Sequence, residues 1–162
     1  MEVNGLPLHP LVIHVAVVFV PLAALGVLGY AVVPRWRRTL RWPMLVATVI
    51  AAVAVQVSAM SGSDLKRERG LGGVLLDQHE MWAGRLQFAT WVLAAVVVLA
   101  FFVAPSSRRR LSGAGSAAAI RLIRLALVLR VVLVLFALAE LYLVVRTGDA
   151  GAKAVWATSQ RG

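Results

Sequence analysis

Four long apolar runs, parted by short charged connections, most constrain what this 162-residue chain can fold into. They cover residues 10–33, 43–60, 86–104 and 122–145. A helix rises about 1.5 Å per residue, so about 20 residues cross the hydrocarbon of a bilayer. The second run is the shortest and still suffices. Apolar residues make up 60% of the chain and mean hydropathy is +0.84. A soluble domain is nearer half apolar and spreads its charges over its surface. The expectation is an all-α fold, a four-helix transmembrane bundle. It forms a single membrane domain over 1–162, because no polar stretch is long enough for a second.

Arginine predicts the orientation. The first connection, Pro34 to Trp42, holds Arg35, Arg37, Arg38 and Arg41 without an acid. The third, Pro105 to Arg121, holds Arg108, Arg109, Arg110 and Arg121, again without an acid. The middle connection, Ser61 to Arg85, balances Lys66, Arg67, Arg69 and Arg85 against Asp64, Glu68, Asp77 and Glu80. Under the positive-inside rule the two arginine-only loops are cytoplasmic, so both termini are extracytoplasmic. The expected setting is a bacterial cytoplasmic (inner) membrane. The formal charge of +10 then reflects contact with anionic headgroups, and no nucleic-acid motif accompanies it. The start, Met-Glu-Val-Asn-Gly, lacks the basic region of a secretory signal, so the first run is expected to be retained.

Local punctuation agrees with this layout. Pro10 suits a first helical position, Pro34 and Pro105 close runs, and Pro43 opens one. Pro21, inside the first run, predicts a kink. Asp77 and Glu80 have the spacing of a capping box, predicting a third helix that begins near Gln78. Gly62, Gly70, Gly72 and Gly73 mark the middle connection as a flexible loop. Trp36 and Trp42 at one end, with Trp82 and Trp156 at the other, read as interfacial anchors.

The polar exceptions collect at one end. His9 sits at the boundary of the first run, and His14 lies about 7 Å deeper by helical rise. Gln56 and Glu140 fall near the same ends of the second and fourth runs, and His79 sits just above the third. An ionisable group within a membrane segment is a functional hypothesis in itself. The chain has no cysteine, which excludes disulfides, thiolate metal sites, iron–sulfur clusters and covalently attached haem. A metal would rest on His, carboxylate or backbone oxygen.

The residues Gly5-Leu6-Pro7-Leu8-His9-Pro10-Leu11-Val12-Ile13-His14 resemble the opening His-Pro-x-x-x-His signature of a bacterial membrane family, domain of unknown function 2231. Ser58-Ala59-Met60-Ser61-Gly62 with Asp64, Asp77-Gln78-His79-Glu80 and the tail Thr147 to Trp156 are similar to further family segments. The chain departs from the pattern at Val15-Ala16 and in a tail without the family's Gly-Gly and late His. The resemblance spans essentially the whole chain and implies a four-helix membrane domain. Relatives fused to cytochrome or Rieske-like modules imply a redox setting.

Two functions of different classes follow. The first is a non-covalent haem b or transition-metal site, since neutral imidazole suits haem iron, copper and zinc, and bundle cores host such groups. His14 and His79 are the expected cofactor-binding and metal-ligating pair, with His9 a further candidate. His9 and His14 stand about 140° apart around one helix and cannot both face one metal squarely. Glu140 and Gln56 are expected as outer partners fixing the imidazole tautomers. The second is a non-catalytic membrane subunit or scaffold, docked to a redox protein or another membrane subunit, in which the same groups pin helices together. Each polar residue also has a plain structural role open to it: His9 as a boundary residue, His14 as a core histidine, His79 as a solvated one. No Gly-x-Ser-x-Gly, His-Glu-x-x-His or phosphate loop points to an enzyme.

Overall fold

Val20, Ala23, Ala24, Val27, Tyr30 and Ala31 recur at spacings of one helical turn, and all are buried along one face of the first helix. The computed structural model describes residues 2–3, 6–111 and 116–159. Four helices make up almost all of it: α1 (Leu8–Val32), α2 (Arg37–Arg69), α3 (Val74–Leu111) and α4 (Ser116–Ser159). Four stretches are long and apolar enough to cross a membrane: Leu11–Val32, Pro34–Arg69, Val74–Phe102 and Ile123–Trp156. Before α1, the two-residue strands β1 (Glu2–Val3) and β2 (Leu6–Pro7) pair antiparallel, Glu2 with Pro7 and Val3 with Leu6.

The helices alternate in direction. α1 packs on α2 and α4, and α3 packs on α4 and α2, which closes a four-membered bundle. Two apolar clusters fill it. Ala24, Val27, Met44, Leu93, Val97 and Leu133 lie toward the arginine-rich end. Val20, Ala23, Ala47, Ala51, Val55 and Leu86 lie toward the end that carries His9 and His79. These are called here the arginine end and the histidine end.

Small residues let the backbones approach, as membrane bundles require. A methyl group built on Gly26 would stand only 3.7 Å from the Cα of Met44.

At the arginine end α1 stops because Pro34 has no N–H to continue the helix. A 3₁₀ turn, Pro34–Trp36, leads into α2. Arg37 donates to the carbonyls of Tyr30 (3.2 Å) and Ala31 (3.3 Å), covering orphaned acceptors at the end of α1. Arg41 donates to Phe101 O at 2.9 Å and lies 4.1 Å from that ring, tying α2 to α3.

At the other end α2 stops at Gly70, whose φ of 58° is left-handed, while Leu71 N–H reaches Lys66 O at 3.0 Å. That is a Schellman ending, which glycine adopts without strain.

Several local expectations are corrected. Asp77 and Glu80 do not form a capping box: α3 begins at Val74, and both carboxylates bind Lys66 of α2, at 3.4 and 2.8 Å. An interhelical ammonium competes better for them than backbone N–H groups already inside a helix. Gly62 is a helical residue of α2, not part of a loop. Pro43 lies within the first turns of α2, and α3 runs through Pro105 to Leu111. The tail from Thr147 continues as α4 to Ser159, with Gly148 and Gly151 inside the helix. Tertiary packing overrides the modest glycine cost there, about 1 kcal/mol each.

The two hairpins, α1–α2 and α3–α4, repeat each other. At one constant offset, buried Val20, Ala23, Ala24, Val27, Tyr30 and Ala31 of α1 match buried Thr90, Leu93, Ala94, Val97, Ala100 and Phe101 of α3. At a second, Met44, Thr48, Ala51 and Ser61 of α2 match Leu133, Ala137, Glu140 and Ala150 of α4, all buried. His9 falls on His79, Ser58 on Thr147 and Gly62 on Gly151 at the same offsets. The bundle is thus an approximate two-fold arrangement of hairpins about its long axis.

Candidate functional site

Each half of the repeat presents one imidazole at the histidine end. His9, in the first turn of α1, places Nδ1 3.0 Å from the carbonyl oxygen of Ser58 and 3.1 Å from Ser61 Oγ on α2. His79, near the start of α3, places Nδ1 3.1 Å from the carbonyl oxygen of Thr147 on α4. One turn beyond each carbonyl, a glycine makes room for the ring. A methyl group on Gly62 would come within 2.9 Å of His9 Cε1, and one on Gly151 within 3.0 Å of His79 Cε1. The same device of carbonyl, turn and glycine thus seats both rings.

The chemistry of the partners settles the tautomer. A carbonyl oxygen only accepts, so Nδ1 carries the proton in both rings. In the neutral imidazole Nε2 is then the bare nitrogen, the state in which histidine ligates metals through Nε2. Burial pushes the His9 imidazole below its ordinary value; the bond to the Ser58 carbonyl works against this, and the nearby charge of His79 adds to it.

The sign of the resulting pH dependence is fixed. A lowered histidine value means that the unfolded chain takes up the proton first as pH falls. Stability from this group is full above about 6.5 and is lost as pH drops below that toward the folded value. A thermal melting series in mild detergent should show this decline, and His9→Gln should flatten it. Either His9→Ala or His79→Ala should also lower stability by about 1 kcal/mol, the measured scale for interhelical hydrogen bonds in membranes. Unchanged melting in both variants would show the clamps to be energetically idle.

The other expected residues lie elsewhere. His14 is on the exposed face of α1, in a stripe with Leu11, Val18, Leu22 and Leu25, each about half exposed. The five-residue spacing explains the outcome: if His9 faces α2, His14 is turned about 140° away from it. Gln56 accepts hydrogen bonds from Gln87 Nε2 (2.8 Å) and Trp91 Nε1 (3.1 Å), a polar link between α2 and α3. It binds neither ring. Glu140 is fully buried, beside Thr90 of α3, but its carboxylate oxygens bind no imidazole. The expected outer-partner role of Gln56 and Glu140 is thus corrected: main-chain carbonyls hold the Nδ1 protons instead.

Among the described residues no group of three or more His, Asp or Glu side chains could enclose a metal by itself.

Trp82 borders the site. Its ring lies under the guanidinium groups of Arg85 (4.8 Å) and Arg146 (4.7 Å) and meets Tyr142 edge-on at 6.2 Å. Such an aromatic–arginine belt suits the level of the headgroups.

Residues 5–160 match the family described as Predicted membrane protein (DUF2231). The chain belongs to the DUF2231 family. The match takes in every element of the histidine end described above, from His9 to Gly151. Among curated proteins and among solved structures nothing matches this DUF2231 chain.

The repeat leaves little trace in the sequence. Its one strong trace is that His9 and His79 each precede an apolar run, with Gly62 and Gly151 on the facing helices. Outside those positions the matched pairs share burial more often than identity.

Proposed function

We propose that His9 and His79 form a two-imidazole site for a transition-metal ion or for the iron of a haem b. One observation carries this reading: both Nδ1 atoms are engaged by main-chain carbonyls, which leaves both Nε2 atoms bare on two rings at the same end of the bundle. Carbonyl-held Nδ1–H is the outer arrangement that orients ligating histidines and raises their basicity. The pair is His9 with His79 and not His14 with His79, since His14 lies on the exposed stripe of α1. A redox or electron-carrying role fits such a centre. The histidine end is extracytoplasmic and both termini lie outside a bacterial cytoplasmic membrane, on the strength of the arginine-only connections at the opposite end.

A second reading has its own support. Each ring already bridges two helices through its Nδ1 bond, which alone would justify its presence in a non-catalytic membrane subunit. The absorption spectrum and elemental analysis of the purified protein separate the two. The metal-site reading expects a Soret band or one equivalent of metal, lost in both His9→Ala and His79→Ala. Colourless, metal-free protein that co-purifies with another membrane protein would favour the subunit.

A further inference from the structure

The two hairpins depart from each other most sharply at one buried point, where one of them carries an acid. Thr90 stands where α1 has Val20, and Glu140 stands where α2 has Ala51. Val20 and Ala51 belong to one apolar cluster, so the first hairpin solves this packing position with hydrocarbon. In the second hairpin the same two places carry a hydroxyl and a carboxyl that lie beside each other. All four residues are fully buried. The architecture therefore has no need of polarity here, and the acid is an addition to it.

Apart from the neighbouring Thr90 hydroxyl, Glu140 has no polar compensation. The Thr90 hydroxyl donates to Leu86 O at 2.8 Å, and both carboxylate oxygens of Glu140 are without a hydrogen-bond partner. No cationic or titratable side chain faces it. α1 has none from residue 15 to 29, α2 none from 42 to 63, and α3 none from 86 to 107. On α4 itself, Arg130 and Arg146 lie more than a turn away along the helix, and Tyr142 is exposed. An ionised carboxylate without a counter-charge is expensive in such surroundings.

We propose that Glu140, with Thr90 beside it, is a proton-binding site within the membrane interior. The proton adds to a carboxylate oxygen and leaves from the same oxygen; no other bond changes. The Thr90 oxygen keeps lone pairs free while its proton is donated to Leu86 O, so it can accept from the protonated carboxyl. A metal cation is a poor occupant. Hard cations take six or more oxygen ligands, and the side-chain oxygens brought together here are those of Glu140 and Thr90.

The test uses the full-length protein in lipid vesicles and the apolar reagent dicyclohexylcarbodiimide. A protonated carboxyl adds across the carbodiimide: its O–H proton passes to one nitrogen, and the acyl group migrates from oxygen to nitrogen. The product is a stable adduct with no leaving group. The expected result is labelling at Glu140, read by peptide mass, that falls as pH is raised and is absent in Glu140→Gln. Infrared difference spectra after a pH jump should show one carboxyl C=O band that Glu140→Gln removes and Thr90→Val shifts. Thr90→Val keeps the test decisive if Glu140→Gln does not fold. Labelling that is absent or independent of pH, or a spectrum without a pH-sensitive carboxyl band, would overturn the proposal.

Discussion

Replacing Glu140 by lysine is expected to abolish the folded bundle, whereas replacing it by leucine should leave the protein as stable or more so. Glu140 is fully buried, beside Thr90, and no acid faces it. A lysine there would bury an ammonium without a counter-ion, which costs several kcal/mol even after relaxation. That is comparable to the whole stability of a typical domain. Leucine removes two unpartnered oxygens and fills the volume with hydrocarbon, as Val20 and Ala51 do in the first hairpin. The expected gain is about 1–3 kcal/mol, the cost of a buried unsatisfied polar group. Thermal melts in detergent and yield after membrane extraction would show both. A leucine variant much less stable than the native protein would mean that the carboxyl holds the helices together after all.

The second large effect is expected at Leu93. This side chain is fully buried on α3, in the cluster with Val27, Met44, Val97 and Leu133. Leu93→Ala leaves a cavity that the close-packed helices cannot fully close. In water-soluble proteins such changes cost about 2–5 kcal/mol. In a membrane the unfolded helices remain in lipid, so the transfer part is largely absent and lost packing dominates. The expected loss is thus nearer the lower bound, about 2 kcal/mol. The exposed Leu99, on the same helix, serves as the control. Leu99→Ala should change the melting midpoint little. Equal losses at both positions would contradict the assignment of buried and exposed faces.

The architecture was legible because hydropathy is additive along the chain. Runs of Val, Ala and Leu without charges announce themselves however they pack, and four membrane-length helices follow from four runs. Helix ends were less legible. Pro34 did end α1, since a missing N–H acts locally, but Pro43 and Pro105 lie inside helices that continue around them. The fourth apolar run ends at residue 145, yet α4 continues to Ser159, and Gly151 is what lets it approach the His79 ring.

The site was legible in part. His9 and His79 lie at the same end of the bundle, as their positions in the runs imply. The partners of their Nδ1 atoms were not foreseeable, because a main-chain carbonyl leaves no signature in the sequence. The five-residue spacing from His9 already argued that His14 could not share its direction, and the structure places it on the exposed stripe. Glu140 and Gln56 share the depth of the imidazoles but not their direction. Depth is set by position along a helix, but contact is set by angle around it, and angle is known only once the packing is.

The most direct test of the two-imidazole site is electron paramagnetic resonance of the purified protein with one equivalent of Cu(II). If the two Nε2 atoms share one copper ion, the spectrum shows hyperfine structure from two imidazole nitrogens, reduced to one in His9→Ala and in His79→Ala, and unchanged in His14→Ala. Weak, purely oxygen-type coordination that none of these variants alters would contradict it.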